Sequence, residues 1–315
     1  IQGDILDKDL ITDLVKNSDI VIHLAGITDV AYVKSEAAQN ENEIKTVGEI
    51  GTKNIINALT SDAKLIFPST HVVFEGFNEI KEELSEDEEP NPVLTYSVNK
   101  RNSEIDIINS NKQFIILRLG SVYGYSTDTM RIGIMPNLFS KIASQNGTIK
   151  LFGGGVQLKS LVNIKDVARC FKFFEENKFT NEIYHLRREN TNVKEVAELC
   201  KKINPKVSLI KTDDEIPNMG YTISNKKLLA TGFEFRYSLE ESLNEMISNW
   251  SVTHKNKNLE FILKGGNDYI DDRGRITNYE LTEPINLIGY IESKKGTVRA
   301  NHYHPIQEQK CLLIK

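Results

Sequence analysis

The sequence is poor in the features that mark secreted and membrane-bound proteins. It has three cysteines in 315 residues, and Cys170, Cys200 and Cys311 lack the close spacing of a disulfide framework or a zinc site. No apolar run reaches the length of a membrane span, and the first residues lack the basic-then-apolar order of a secretion signal. We therefore expect a cytoplasmic protein with no membrane partner.

The sequence also lacks long runs of basic residues. The 39 basic and 44 acidic residues give a net charge of -5, and the basic ones are scattered along the chain. Nucleic acid is therefore not an expected partner, because binding to a phosphate backbone needs clustered cations. The densest run, residues 79–89, is acidic and is interpreted as a solvated loop.

Short apolar runs alternate with helical patterns over the first 120 residues. Strands are predicted at Asp19–Ala25, Lys64–Pro68 and Gln113–Leu119, and helices at about Ile44–Leu59 and Tyr96–Ile108. Continuous apolar strands that are joined through helices indicate a parallel sheet covered on both faces. The expected fold class is α/β with a doubly wound sheet.

The rest of the chain divides at a polar segment. Residues 1–250 form the first predicted domain, which ends in a small lobe over the carboxyl edge of the sheet. Residues 251–258 (SVTHKNKN) are the predicted linker, and residues 259–315 have the strand and turn pattern of an all-β domain that is not completed. The elements predicted in the lobe are helices near Ile134–Ser144, Lys165–Glu176, Val193–Ile203 and Leu239–Trp250 and a strand at Glu182–Leu186.

Three residues, Thr70, Tyr96 and Lys100, are candidates for a functional site. Tyr96 and Lys100 are four residues apart, so a helix places both on one face, and a nearby ammonium favours the phenolate form of a tyrosine. Thr70 ends an apolar strand, where open α/β sheets bind their ligands. Tyr and Lys four residues apart are also common as surface pairs. The pair is singled out here because Thr70 lies at the end of a strand, where a ligand is expected.

With these residues, the sequence resembles the extended short-chain dehydrogenase/reductase family of sugar-nucleotide epimerases, dehydratases and reductases over about residues 1–250. The motifs that carry the resemblance are Gly3-Asp4-Ile5, His23-Leu24-Ala25-Gly26, Thr70, Tyr96 with Lys100, Leu117–Gly124 and Leu151–Ala168. The resemblance implies a Rossmann-like sheet with a small substrate lobe, NAD or NADP as cofactor, a nucleotide-diphosphate sugar as substrate, and a homodimer.

The resemblance also assigns roles to individual residues. Thr70, Tyr96 and Lys100 match the catalytic threonine, acid/base and lysine. The expected cofactor-binding residues are Asp4, Ile5, Leu24, Ala25, Gly26 and Lys100. The expected substrate-binding residues are Thr70, His71 and Lys159.

The sequence departs from the family pattern at several places. The glycine-rich phosphate loop is not found, and two βα units are expected to precede Ile1. Lys159 stands where the family has a diphosphate-binding arginine, so the charge remains but the bidentate geometry does not. It could equally be an ordinary surface lysine.

The reaction is only partly specified by the sequence. The 4,6-dehydratases carry an Asp-Glu pair after the catalytic threonine, whereas His71-Val72 follow Thr70 here, which disfavours dehydration. A 4-epimerase and a 4-ketoreductase acting at sugar C4 both remain, in the synthesis of surface polysaccharide precursors. A dinucleotide-binding regulatory or scaffold protein without turnover is the alternative.

The all-β segment contains a second motif, residues 296–308. Its His302, His304 and Glu308 resemble the first motif of cupins, the jelly-roll barrels of sugar-nucleotide 3,5-epimerases and ketoisomerases. Two histidines spaced by two on a strand face the same side, so they could hold a metal with Glu308 or act as a base on a 4-keto sugar. Whether a metal binds stays open, as does the alternative of histidines that only line a barrel.

Overall fold

The computed structural model describes residues 1–28, 41–77, 79–126, 130–214 and 219–255, together with four short strands beyond them. The helices are α1 (Lys8–Val15), α2 (Gly51–Ala58), α3 (Thr95–Ile108), α4 (Met135–Ser144), α5 (Ile164–Glu176), α6 (Val193–Ile203), α7 (Lys226–Leu229) and α8 (Leu239–Lys255). The first strands are β1 (Ile20–Ile22), β2 (Lys64–Thr70), β3 (Lys81–Leu84), β4 (Gln113–Leu119), β5 (Ser121–Tyr123), β6 (Thr148–Leu151), β7 (Leu158–Asn163) and β8 (Glu182–Leu186). The later strands are β9 (Glu189–Asn192), β10 (Ser208–Lys211), β11 (Tyr221–Ile223), β12 (Lys264–Gly265), β13 (Tyr269–Asp271), β14 (Gly274–Ile276) and β15 (Tyr279–Glu280).

The main sheet has the order β1-β2-β4-β8 among the described residues, and every neighbouring pair is parallel. Helix α2 precedes β2, α3 lies between β2 and β4, and α5 precedes β8. Parallel strands joined through helices are the arrangement that the sequence predicted. The α/β prediction with a doubly wound, Rossmann-like sheet is confirmed.

Alternate side chains of the central strands pack into two separate cores. Leu65 and Phe67 belong to one hydrophobic cluster and Ile66 to another, and along β4 the same alternation separates Ile116 from Ile115. All five side chains are at most 1% exposed. A strand buried on both faces has to be apolar at every position, which explains why these strands read as continuous hydrophobic runs.

The carboxyl ends of three parallel strands meet at one edge of the sheet. Thr70, the last residue of β2, is in register with Leu119, the last residue of β4. The chain that leaves β1 stays beside β2, because the His23 N–H donates to the Ile66 carbonyl at 3.0 Å. In open α/β sheets, this is the edge at which ligands bind.

The lobe over this edge is built from three small sheets and from helices α4, α6 and α8. The sheets have the orders β5-β7-β9, β6-β10 and β3-β11. A core that includes Tyr123, Phe139, Leu161 and Leu243 joins helices α4, α6 and α8 to these sheets, except that β3 and β11 pack in a separate cluster with Val73 and Phe74. The chain thus brings together residues that are 140 positions apart in sequence, as in the pairing of Lys81 with Tyr221.

The acidic run at residues 79–89 is not the simple loop that the sequence predicted. Its residues 81–84 form β3, which pairs in parallel with β11. Glu83 has a φ of 55°, and its carboxylate binds Arg187 Nη2 at 2.7 and 2.8 Å. Both partners lie more than a hundred residues further along the chain, so local charge gives no sign of them.

The helix predicted at about Ile44–Leu59 is present, but it is not a regular α-helix. Residues 41–45 are helical, Thr46–Ile50 form a π turn, and α2 follows. Gly48 lies in the π turn, where an added Cβ would be 1.9 Å from Oδ1 of the buried Asn99 on α3. Glycine at this position therefore permits close packing between the π turn and α3.

The last long helix runs into the segment predicted as a linker. Helix α8 continues to Lys255, and the Ser251 hydroxyl donates to the Ile247 carbonyl at 2.7 Å. The polar residues after Trp250 contain no glycine or proline, so nothing in them stops the helix. Where the first domain ends stays a prediction.

The described strands after residue 255 form two antiparallel pairs, β12 with β15 and β13 with β14. The predicted cupin residues His302, His304 and Glu308 lie outside the described residues. Among the helices that the structure describes, none combines the length and apolar character needed to cross a bilayer.

Candidate active site

A cleft opens at the carboxyl edge of the sheet, between the segment after β1, the π turn and helix α3. Its wall combines small residues, aromatic rings and polar side chains. The lining residues are His23, Ala25, Gly26, Ile27, Gly48, Thr52, Phe67, Tyr96, Asn99, Lys100 and Ser103. Four of the residues predicted from sequence, Ala25, Gly26, Tyr96 and Lys100, therefore share one cleft.

Tyr96 lines this cleft, and Thr70, which is outside the lining, is a hydrogen-bond partner of its phenol. The phenol of Tyr96, on the first turn of α3, hydrogen-bonds the side chains of Thr70 and Thr28. Thr70 Oγ1 also accepts from the Val72 N–H at 3.1 Å, which caps a short 3₁₀ helix, His71–Phe74. This bond uses a lone pair of the Thr70 oxygen and leaves the hydroxyl proton free to be donated.

The electrostatics around Tyr96 differ from the simple Tyr/Lys picture. Burial raises the pKa of Tyr96 above its usual value of 10, against the opposing effects of the hydrogen bonds from Thr28 and Thr70 and the charge of Arg131. Arg131 was not anticipated from the sequence, because it lies 35 residues beyond Tyr96 in an irregular segment. Desolvation therefore dominates the proton affinity of this phenol.

Lys100 lies one turn after Tyr96 and is held by the strand that carries Thr70. Its Nζ donates to the Pro68 carbonyl at 2.9 Å and lies 4.5 Å from the centre of the Phe67 ring. Burial lowers the pKa of Lys100 to about 8, and the Glu104 carboxylate partly opposes that change. Lys100 thus lines the cleft, and desolvation disfavours its protonated form.

The segment after β1 leaves open space in the cleft and carries a buried histidine. An added Cβ at Gly26 would meet no atom within 4 Å, so Gly26 leaves open space in the cleft wall. The buried His23 ring bonds Thr52 Oγ1 through Nε2 at 3.0 Å, and Nδ1 has no hydrogen-bond partner within the described chain. Burial, with Lys100 nearby, lowers the pKa of His23 to about 4, so the ring is neutral at pH 7.

The other predicted cofactor-binding residues lie outside the cleft lining. Asp4 Oδ1 accepts from the Leu6 N–H at 2.9 Å, and the Ile5 carbonyl accepts from Asn54 Nδ2 of α2 at 3.0 Å. Asp4 is exposed, so its carboxylate faces solvent. Leu24 is 66% exposed, at the start of the segment that leads to Gly26.

The predicted substrate-binding residues His71 and Lys159 lie close to each other. His71 Nε2 is 3.3 Å from Ser121 Oγ, and burial together with the charge of Lys159 lowers the pKa of His71 to about 3. Burial also lowers the pKa of Lys159. A neutral His71 is better suited to lining the wall of a site than to acting as an acid or base.

A buried ion pair supports the site, and sequence reasoning missed it. Glu104 on α3 and Arg118 on β4 are 0% and 1% exposed, and they are joined by two hydrogen bonds of 3.0 and 2.9 Å. The Ser69 hydroxyl donates to Glu104 Oε1 at 2.5 Å, and Arg101 Nη1 lies 3.2 Å from Oε2. The available signal was the spacing, because Glu104 follows Lys100 by four residues and so faces the same side of the helix.

A doubly wound sheet with a bonded threonine and tyrosine at its carboxyl edge, and a lysine one turn further on, is typical of Rossmann-like proteins that bind a dinucleotide. The sequence matches the NAD dependent epimerase/dehydratase family over residues 1–186. The matched region is more than half of the chain, and the protein belongs to this family. The predicted NAD-dependent epimerase/dehydratase family is confirmed, whereas the nucleotide-sugar substrate and the choice between NAD and NADP stay predictions.

Individual relatives in this family differ in chemistry. A probable low-salt glycan biosynthesis reductase of Haloferax volcanii is 28% identical over 155 residues, which cover 48% of this chain and about half (49%) of the relative. A UDP-N-acetyl-alpha-D-glucosaminuronate decarboxylase of Bacillus cytotoxicus is 26% identical over 265 residues, covering 77% of this chain and 80% of the relative. The UDP-glucose 4-epimerase structure of Thermotoga maritima superposes with a TM-score of 0.69 at 21% identity, covering 81% of this chain and 84% of that chain, and supports the fold.

The buried ion pair leads to a prediction about stability. Glu104→Gln should lower the free energy of unfolding by about 3–5 kcal/mol, because it leaves the Arg118 charge buried without its partner. Urea denaturation measures the loss. Glu240→Gln is the matched control, since its salt bridge with Lys202 is about half exposed, and it should cost less than about 1 kcal/mol. Equal losses in the two variants would contradict the structural weight given to Glu104.

The neutral histidines predict a dependence of stability on pH. Burial, with Arg118 nearby, lowers the pKa of His185 to about 3, while the unfolded chain titrates near 6.5. The unfolded state therefore binds more protons as the pH falls, and each such histidine removes about 1.4 kcal/mol of stability between pH 7.5 and 5.5. Burial raises the pKa of Glu189 to about 7, which acts in the opposite direction. A comparison between variants is therefore needed.

His185→Asn keeps an N–H donor for the Leu84 carbonyl, which lies 3.1 Å from the His185 ring. The variant is expected to lose about 1.4 kcal/mol less than the wild type when the pH is lowered from 7.5 to 5.5. Urea denaturation at the two pH values measures both losses. Identical pH dependence of the two proteins would mean that His185 is not held neutral in the folded state.

Proposed function

We propose that this protein moves a hydride at C4 of a nucleotide-diphosphate sugar, with Tyr96 as acid/base. The observation that carries the proposal is the hydrogen bond between the Tyr96 phenol and the Thr70 side chain, next to a cleft that Tyr96 and Lys100 line. A phenol and a hydroxyl that share one bond can both contact the same substrate oxygen. Membership in the NAD dependent epimerase/dehydratase family supports the same chemistry.

The chain's own groups divide the work in this proposal. Tyr96 takes the proton of the C4 hydroxyl, and Thr70 donates to the same oxygen and fixes its position. A bound nicotinamide dinucleotide would supply the hydride acceptor or donor, with Ala25, Gly26 and Lys100 holding it. Desolvation in the cleft strengthens each polar contact with the substrate.

Lys159 is the proposed contact for the anionic part of the substrate. Its ammonium is partly buried, and the structure gives it no acidic partner among the described residues. An unpaired buried cation is costly, and a diphosphate would compensate its charge. His71, between Lys159 and Thr70, would form the wall beside the sugar.

The proposal keeps two reactions, 4-epimerisation and 4-ketoreduction, as steps in making surface polysaccharide precursors. The position of His71 and Val72 directly after Thr70, without an acidic pair, speaks against a 4,6-dehydratase. For the second domain, we keep the proposal of a cupin that epimerises or isomerises the 4-keto sugar through His302 and His304. A C4 ketone acidifies the C3 and C5 protons, so both domains could use one intermediate.

The substrate is tested by incubating the protein with UDP-glucose, UDP-glucuronic acid and 4-keto sugars on dTDP and GDP, with and without NADPH. Mass spectrometry and proton NMR of the products distinguish reduction, which adds two mass units, from epimerisation, which adds none. No turnover of any of these sugars, despite dinucleotide binding, would favour the regulatory or scaffold alternative.

Tyr96→Phe tests the acid/base role directly. The variant should keep its fold and its cofactor binding, and its turnover should fall by roughly two to four decades, the usual contribution of general acid–base catalysis. Initial rates on the best sugar of the panel measure the effect. Tyr237→Phe, in the lobe and outside the cleft lining, is the matched control and should retain the wild-type rate. A Tyr96→Phe rate within a few-fold of wild type would reject the proposed role.

The two remaining reactions predict different cofactor balances. A 4-epimerase regenerates its dinucleotide in each cycle, whereas a 4-ketoreductase oxidises one NAD(P)H for each product molecule. Absorbance at the reduced nicotinamide band is followed during turnover and compared with the amount of product. Equal amounts of oxidised cofactor and product identify the reductase, and an unchanged band during product formation identifies the epimerase.

A further inference from the structure

We propose that Glu75 is a positioning residue that holds Tyr96 against Thr70, a role that rests on the proposed function of Tyr96. Glu75 is only five residues beyond Thr70 and directly follows the 3₁₀ helix that Thr70 caps. It belongs to neither the cleft lining nor the residues predicted from sequence. Its side chain crosses from this helix to the start of α3.

One carboxylate oxygen of Glu75 accepts three hydrogen bonds at the beginning of α3. Oε1 accepts from the Val93 N–H at 3.1 Å and from the Leu94 N–H at 2.7 Å. The Ser97 hydroxyl donates to the same oxygen and also lies 2.9 Å from the Leu94 carbonyl. These donors flank Tyr96 on both sides in sequence.

The helix has no cap of its own at this end. Leu94 is the N-cap residue of α3, and it has no side chain that could accept a hydrogen bond from the first turn. The first N–H groups of a helix need acceptors, and a negative charge there is favourable to the helix dipole. Glu75 supplies both from another part of the chain.

The backbone beside Glu75 fixes the same junction. The Gly76 N–H donates to the Asn91 carbonyl at 2.9 Å, and an added Cβ at Gly76 would be 2.5 Å from that oxygen. The segment after Thr70 and the segment before α3 are therefore also in close backbone contact next to the Glu75 side chain. The acidic run, residues 79–89, therefore lies in a loop whose two ends are in contact.

These contacts form a closed series that links Thr70, Glu75 and Tyr96. It runs from Thr70 through the 3₁₀ helix to Glu75, from Glu75 to the first turn of α3, and from Tyr96 back to Thr70. Loss of the Glu75 acceptor frees the first turn of α3, which carries the phenol. The distance between the phenol and the threonine hydroxyl is then no longer fixed, and small displacements of reacting groups cost large factors in rate.

The test compares Glu75→Ala, Glu75→Gln and the control Glu82→Ala, which removes an exposed carboxylate of β3. With the best sugar of the panel above, we expect Glu75→Ala to lower kcat by roughly 10- to 100-fold and to change KM by less than about threefold. Glu75→Gln retains an acceptor oxygen and should restore most of the rate. Glu82→Ala should behave as wild type.

Circular dichroism and thermal unfolding accompany each variant, and rates are normalised to the folded fraction. A double-mutant cycle with Tyr96→Phe separates positioning from general damage, because Glu75→Ala should cost less than about threefold once the phenol oxygen is gone. An equal loss in both backgrounds, or a normal kcat in Glu75→Ala, overturns the positioning role. A Tyr96→Phe single variant with a wild-type rate would instead reject the proposed function, so the two failures are distinguishable.

Discussion

The buried carboxylate of Glu104 is the constraint on which the geometry of this site depends. It lies on α3 and binds Ser69 at the end of β2 and Arg118 on β4, so one charged group joins three elements beneath the cleft. A charge removed from water is tolerated only when its partners are well placed. The structure therefore has little freedom to shift α3 along the sheet, and the helix carries Tyr96 at a fixed height above Thr70.

Desolvation sets the proton equilibria in the cleft. It raises the pKa of Tyr96 and lowers the pKa of Lys100 to about 8, so burial disfavours the phenolate and the ammonium alike. Forming the Tyr96 phenolate beside the Lys100 ammonium therefore costs free energy in this environment. Any positive charge that enters the cleft would stabilise the phenolate, so the proton abstraction proposed for Tyr96 would depend on what else is bound.

The sequence predicted those features that depend on short-range patterns. The strands at Gln113–Leu119 and Glu182–Leu186 and the helix at Val193–Ile203 have the predicted bounds, because each is a periodic or continuous apolar pattern with clear ends. The sequence did not predict β3, Arg131 or the Glu104–Arg118 pair. These depend on partners brought together only by the folded sheet, and single-sequence patterns carry no information on such pairing.

Helix α3 explains why carboxylates rather than apolar side chains fix this site. Its buried residues are Ser97, Asn99, Ser103, Glu104 and Ile107, of which only Ile107 is apolar. Burial of apolar surface is non-directional and would tolerate sliding of the helix, whereas hydrogen bonds fix both its position and its rotation. Glu104 supplies these bonds in the middle of the helix, and Glu75 supplies them at its N-terminus. The polar face thus gives up hydrophobic stabilisation in exchange for a defined placement of Tyr96 and Lys100 between two fixed points.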